Sequence, residues 1–119
     1  MVKAVQIDSP AAFAHRFAIS RETLDRFVTY EAMLRRWQKT INLVAPSTVN
    51  HIWHRHFADS AQVYFASCSG HSSRPSSVRG GGASINWLDI GSGAGFPGLV
   101  IAILAAEHGG SRHTLIESD

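Results

Sequence analysis

The sequence predicts an α/β fold, with an N-terminal helical cap followed by the first β-α-β unit of a parallel sheet, and three observations predict it. Apolar residues recur at three- and four-residue spacing through the N-terminal half. The run Trp87-Leu88-Asp89-Ile90-Gly91-Ser92-Gly93-Ala94-Gly95-Phe96-Pro97-Gly98 reads as an apolar strand with a carboxylate near its end, broken by glycines before a helix. A second strand, His113-Thr114-Leu115-Ile116-Glu117, follows that helix and also ends in an acid.

The elements follow in order. A short helix is expected over Pro10 to Phe17. Ser20 is a plausible N-cap for a long helix from about Arg21 to Thr40, because Glu22 and Asp25 lie where the helix dipole favours acids. Leu24, Phe27, Val28, Leu34, Trp37 and Ile41 form its apolar stripe, while Arg26, Arg35, Arg36 and Lys39 lie mostly off it. Pro46 ends this segment, Ser47 can cap the next, and a helix from about Thr48 to Phe65 carries Ile52, Trp53, Phe57, Ala61 and Tyr64. Trp37, Trp53 and Tyr64 could stack on bases, but aromatics at helical spacing are more often core, which is the expectation for Trp37 and Trp53.

The Ser- and Gly-rich stretch 67–84 cannot bury enough apolar area to order itself and is expected to be a flexible loop. A tolerated surface insertion is its simplest role, with an RNA-touching arm through Arg74 and Arg79 as the alternative. Residues 1–66 would then form the cap, and residues 85–119 the start of the sheet domain. Pro97 suits the first helical position, and Leu99 to Ala106 reads as a buried helix too short to span a membrane.

At 119 residues and 45% hydrophobic, the chain has material for one small core. The net charge of +2 is unevenly spread: residues 1–60 carry eight Lys/Arg against five acids, the remainder three against four. A basic N-terminal side suits RNA phosphates. One cysteine, Cys68, excludes an intramolecular disulfide and a cysteine-only metal cluster, and no signal-peptide or spanning pattern is visible, so a cytoplasmic location away from membranes is expected.

The glycine run has the layout of a nucleotide-type cofactor loop, in which backbone N–H groups at a helix start face the ligand. Gly93-x-Gly95-x-x-Gly98 also fits the dinucleotide pattern, so NAD must be weighed against S-adenosylmethionine (SAM). Asp89, just before the loop, would repel a pyrophosphate but suits the ammonium and sulfonium of SAM. Glu117, 28 positions further on, can accept both ribose hydroxyls of an adenosine and does not discriminate between the two. No Lys-Ser or Lys-Thr pair follows the glycines, which excludes a P-loop.

Together with its Phe-Pro-Gly end, this segment resembles the glucose-inhibited division protein B family, as do Arg55-His56-Phe57-Ala58-Asp59-Ser60 and Leu34-Arg35-Arg36-Trp37-Gln38-Lys39-Thr40-Ile41-Asn42-Leu43-Val44. The resemblance runs from about Leu24 to Glu117 and breaks near residues 66–84, where family members connect more briefly. It implies a Rossmann-like, SAM-dependent methyltransferase fold, methylation of a guanine N7 in 16S ribosomal RNA, and the small ribosomal subunit as partner. By position, it places cofactor contacts on Gly91 and Phe96, has Asp89, Gly93 and Gly95 shape the loop, and makes Glu117 the ribose acid. Guanine N7 carries a lone pair in the neutral base, so no general base is required; no catalytic residue is assigned, and none of the usual triads or carboxylate pairs is evident.

Other candidates carry two readings. His51, His54 and His56 suggest a metal, but His56 falls on the opposite face of an ideal helix and the i,i+4 zinc spacing is absent, so no metal is expected. Arg55 and Asp59, spaced i,i+4, could be a structural ion pair, or this segment with His56 and Ser60 could position the cofactor loop or RNA. Arg35, Arg36 and Lys39 are the best phosphate-contact candidates, with Arg55 and His56 beside them as RNA-binding candidates. The sequence stops at Asp119, so an N-terminal, monomeric portion that binds SAM poorly and transfers nothing alone is the expectation. An NAD-binding oxidoreductase fragment and a non-catalytic RNA-binding or assembly module are the alternatives.

Overall fold

The computed structural model describes residues 6–69, 86–91, 93–107 and 112–117. Helix α1 spans Pro10–Phe17, as the sequence predicts, with Pro10 at its first position and the Ser9 hydroxyl accepting from the Ala12 N–H. Helix α2, Arg21–Gln38, is capped by Ser20, whose hydroxyl accepts from the Thr23 N–H at 3.2 Å. It stops at Gln38, short of the expected Thr40. The Gln38 amide accepts from the Leu43 and Val44 N–H groups and donates to the Val44 carbonyl, clamping the chain as it reverses.

The single helix expected over Thr48 to Phe65 is instead three windings. A tight 3₁₀ segment covers Pro46–His51, a wide π segment covers Ile52–Ala58, and helix α3 covers Asp59–Ser69. The reason lies in which residues are buried. Ile52 and Phe57 are both buried, as are Trp53 and Ala58; each pair is five residues apart, the interval that π hydrogen bonding brings onto one face. Ser67 to Ser69 are therefore helical rather than loop, and the rest of the expected loop, Arg74 and Arg79 included, lies outside the described residues.

These windings enclose an aromatic core. The Phe13 ring lies 4.9 Å from both Phe17 and Phe27 and 5.4 Å from Trp53, and Phe57 meets Trp53 edge-on at 4.8 Å. Tilted and edge-to-face contacts of this kind add to the area that the rings bury. Trp53 is 4% exposed, as expected of a core residue. Trp37, expected in the core with it, is 51% exposed. The buried stripe of α2 is Thr23, Phe27, Tyr30 and Leu34, whereas Trp37 shares a neighbouring strip with Arg26 and Met33, at i−11 and i−4. Val28 and Ile41, also assigned to the stripe, are exposed.

Strands β1, Asn86–Ile90, and β2, Arg112–Ile116, pair in parallel with Asn86 opposite Arg112 and Ile90 opposite Ile116. Helix α4, Gly98–Ala106, connects them and buries Val100, Ile101, Leu104 and Ala105 against the sheet, α2 and α3. Pro97 therefore occupies the cap position rather than the first helical one, because the first bonded turn begins with Gly98. Glu107, just past α4, accepts from the Ser20 N–H and ties the end of α4 to the start of α2. The other face of the two strands leaves Leu88 and Ile90 exposed. Among the described residues, no helix is long and apolar enough to cross a membrane.

Phe57 touches both the cap core and the glycine segment, so Phe57→Ala is expected to lower unfolding free energy by about 3–5 kcal/mol in urea titrations followed by circular dichroism. Val63→Ala, on the exposed side of α3, should stay within about 0.5 kcal/mol.

Candidate cofactor loop and nucleic-acid surface

The glycine segment starts where β1 ends. The Gly91 N–H donates to the Ile116 carbonyl at 2.6 Å, so the last bond of the sheet also anchors the first residue of the loop. Gly91, Gly93 and Gly95 have φ of 75°, 51° and 100°. Gly95 has a further constraint, since a Cβ there would lie 2.6 Å from the Tyr30 hydroxyl oxygen. Gly98 is confined by contact alone: its Cβ would meet the Asp89 carboxylate at 2.7 Å.

Both acids bind the loop itself. Asp89 Oδ2 accepts from the Gly98 N–H at 3.0 Å, fastening the start of α4 to β1, while Glu117 accepts from the Gly93 N–H. Carboxylates at these amides offset the partial positive charge of a helix start. The strand ends thus bring Asp89, Gly93, Gly98 and Glu117 into one bonded unit.

The cap holds the other side of the loop. Tyr30, buried on α2, donates its hydroxyl to the Ala94 carbonyl, and burial pushes its pKa far above the ordinary phenol range. Phe96 lies half-buried among Tyr30, Phe57 and His56, with the His56 ring stacked on it at 4.9 Å. Tyr30 is the residue that the sequence reading missed. The available signal was its place on the buried stripe, because a phenol buried there requires an acceptor.

The three histidines diverge, each with its own partner. His51 Nδ1 faces Asp8 at 3.9 Å, His54 Nδ1 accepts from the Ile7 N–H, and His56 Nε2 pairs with the Thr48 hydroxyl at 2.8 Å. Among the described residues, no group of three or more His, Cys, Asp or Glu is gathered as metal ligands. Desolvation lowers the His56 pKa from its ordinary value, and nearby Asp59 opposes that shift. Arg55, His56, Asp59 and Ser60 share a pocket of about 250 Å³ with Phe96 and Pro97, but no Arg55–Asp59 ion pair forms.

The basic candidates on α2 separate. Arg35 pairs at 3.3 Å with Glu31, which also accepts from the Trp53 indole at 2.7 Å, and Arg35 shares a shallow groove with Lys39, Gln38 and Val49. Arg36 is exposed. The cation that borders the glycine loop is Arg26, grouped in the sequence reading with the wet face; it lines a groove of about 300 Å³ with Tyr30, Met33, Trp37, Gly93 and Ala94.

Residues 23–119 match the family model GidB, rRNA small subunit methyltransferase G. The chain belongs to this family. It is 46% identical over 114 residues to the ribosomal RNA small subunit methyltransferase G of Parvibaculum lavamentivorans, covering 96% of this chain and 45% of the relative. The protein of that name from Rhodospirillum centenum is 50% identical over 107 residues, covering 90% and 42%, and that from Jannaschia sp. is 48% identical over 103 residues, covering 85% and 42%. The chain thus spans under half the length of these GidB relatives. No solved structure matches it.

Two outcomes follow from the geometry. Gly95→Ala is expected to lose about 1–3 kcal/mol of unfolding free energy in urea, through left-handed strain and the Tyr30 clash, while Tyr30→Phe loses about 1 kcal/mol by leaving the Ala94 carbonyl without its donor. The folded chain disfavours protonated His56, and His113 shifts in the same direction by burial, so the unfolded chain binds more protons just below the ordinary imidazole value. From the histidines, stability should therefore fall as pH drops below about 6.5; above it stability is level until the ordinary phenol range, where ionisation of Tyr30 in the unfolded chain lowers it again. His56→Gln should flatten part of that fall in melting temperatures measured across pH.

Proposed function

We propose that this chain takes part in SAM-dependent methylation of small-subunit ribosomal RNA at guanine N7, as the cofactor-loop part of a Rossmann-like domain acting in the cytoplasm. The observation that carries the reading is the glycine loop clamped between Asp89 and Glu117 in a chain that belongs to the GidB family.

The donor set fits SAM better than a dinucleotide. The Gly98 and Gly93 amides, which a diphosphate would need, already donate to carboxylates, and two acids at the loop oppose phosphate charge. Asp89 uses Oδ2 for Gly98, leaving its other oxygen outside that bond to face an ammonium. Gly91, with open space where a side chain would be, can admit a ligand close to the backbone; in this reading Phe96, Gly93 and Gly95 shape the wall, and Glu117 is assigned to the adenosine ribose hydroxyls. Bound SAM supplies an electrophilic methyl group on a sulfonium.

The residues of the chain then bind, orient and exclude water. Guanine N7 presents its lone pair without losing a proton, so no side chain here has to act as a base, and holding two reactants in line can supply on the order of 7–11 kcal/mol. Arg35, Arg36, Lys39, Arg55 and His56 are offered as RNA contacts in two groups, one on α2 and one leading into α3. Because the chain spans under half of its relatives' length, weak SAM binding and no methyl transfer by the chain alone are part of the proposal.

Saturation-transfer NMR with millimolar SAM and NAD detects even weak contact. SAM protons should receive saturation from the chain and NAD protons should not, and Asp89→Asn should weaken SAM roughly tenfold while strengthening NAD, a change of about 1.4 kcal/mol. Saturation of NAD in preference to SAM, or of neither, would overturn the reading.

A further inference from the structure

The strip of α2 that faces the glycine loop ends in an exposed tryptophan, although the residue looks like core by its spacing. Arg26, Met33 and Trp37 follow one another along this strip, and Gly93 and Ala94 form the opposite wall of the groove. The half-exposed indole and the exposed Met33 thioether lie outside the aromatic core that takes up Phe13, Phe27, Trp53 and Phe57. Apolar surface left uncovered beside the Arg26 guanidinium, at the edge of the glycine loop, has the chemistry of a nucleobase platform: a flat apolar face with a phosphate partner beside it.

We infer that the α2–loop groove seats one nucleotide of single-stranded RNA, its base stacked on Trp37 and its phosphate against Arg26. This rests on the methyltransferase reading and adds to it a defined RNA subsite next to the cofactor loop. Charge favours RNA over a protein segment. Arg26 is in no ion pair among the described residues, Arg36 follows Met33 at i+3, and Arg35, the α2 arginine that is paired, faces away toward Lys39 and Val49. A volume of about 300 Å³ is at the small end of ligand pockets and suits a nucleoside better than a partner helix.

The test uses the full chain, a fluorescein-labelled ten-nucleotide single-stranded RNA, and anisotropy over a range of salt concentrations. Trp37→Ala is expected to weaken binding about tenfold with an unchanged salt slope, Trp37→Phe to stay within about threefold, and Arg26→Gln to weaken binding and flatten the salt slope. Indole emission of the wild type should be quenched on binding, and quenching should be lost in Trp37→Phe. No RNA binding by the wild type at low salt, equal affinities for wild type and Trp37→Ala, or self-association through this groove in sedimentation would each overturn the inference. Saturation transfer to SAM, measured on the same Trp37→Ala protein, separates the two readings: if it persists while RNA affinity is unchanged, the subsite fails and the methyltransferase reading stands.

Discussion

The contact on which the structure depends is the packing of Phe96 into the helical cap. Phe96 belongs to the glycine loop, yet its ring sits among Tyr30, Phe57 and His56, all from segments before the sheet. A segment rich in glycine has high conformational entropy when free, and the ordering must be offset by contacts that its own residues cannot make. The cap supplies them: ring contacts for Phe96 and the Tyr30 hydroxyl for the Ala94 carbonyl. From the other side, the strands contribute Asp89 and Glu117. The loop thus acquires one shape because two unrelated layers hold it, which is the preorganisation that a ligand-binding turn requires.

The large divisions were legible in the chain. Ser20 signalled a helix start through a hydroxyl that satisfies an orphan N–H, a local effect that sequence carries well, and the structure shows Ser9 doing the same for α1. The parallel pair was legible because two apolar runs with an apolar helix between them have few other ways to bury it. The winding around Ile52 to Ala58 was not legible, since helical periodicity was read at the usual interval while burial there recurs at five. Trp37 misled for a related reason. Spacing places a residue on a face, but whether that face meets a neighbour depends on where the other elements lie.

At the site, residue types were easier to read than partners. Glycines and acids near a strand end were read as a ligand loop whose carboxylates face the ligand, and in the structure each carboxylate satisfies a loop amide. Tyr30 escaped notice, and Arg26 was grouped with the wet face, because the loop residues they meet are more than sixty positions away, beyond any local pattern. The histidines illustrate the opposite error. Three within six positions look like a cluster, yet tight and wide winding sends each to a different neighbour.

The wide turn from Ile52 to Ala58 also sets how much length variation this stretch can absorb. Removing one residue there would let the backbone revert to ordinary winding and would nearly preserve the rotational phase of everything before it relative to α3, because the wide turn gains less rotation per residue than an ordinary one. Trp53 and Phe57, four apart, would still both point inward. Loss of one residue should therefore be tolerated between Ile52 and Ala58 before it is tolerated inside α2 or α3, where no wide turn can give back the lost rotation.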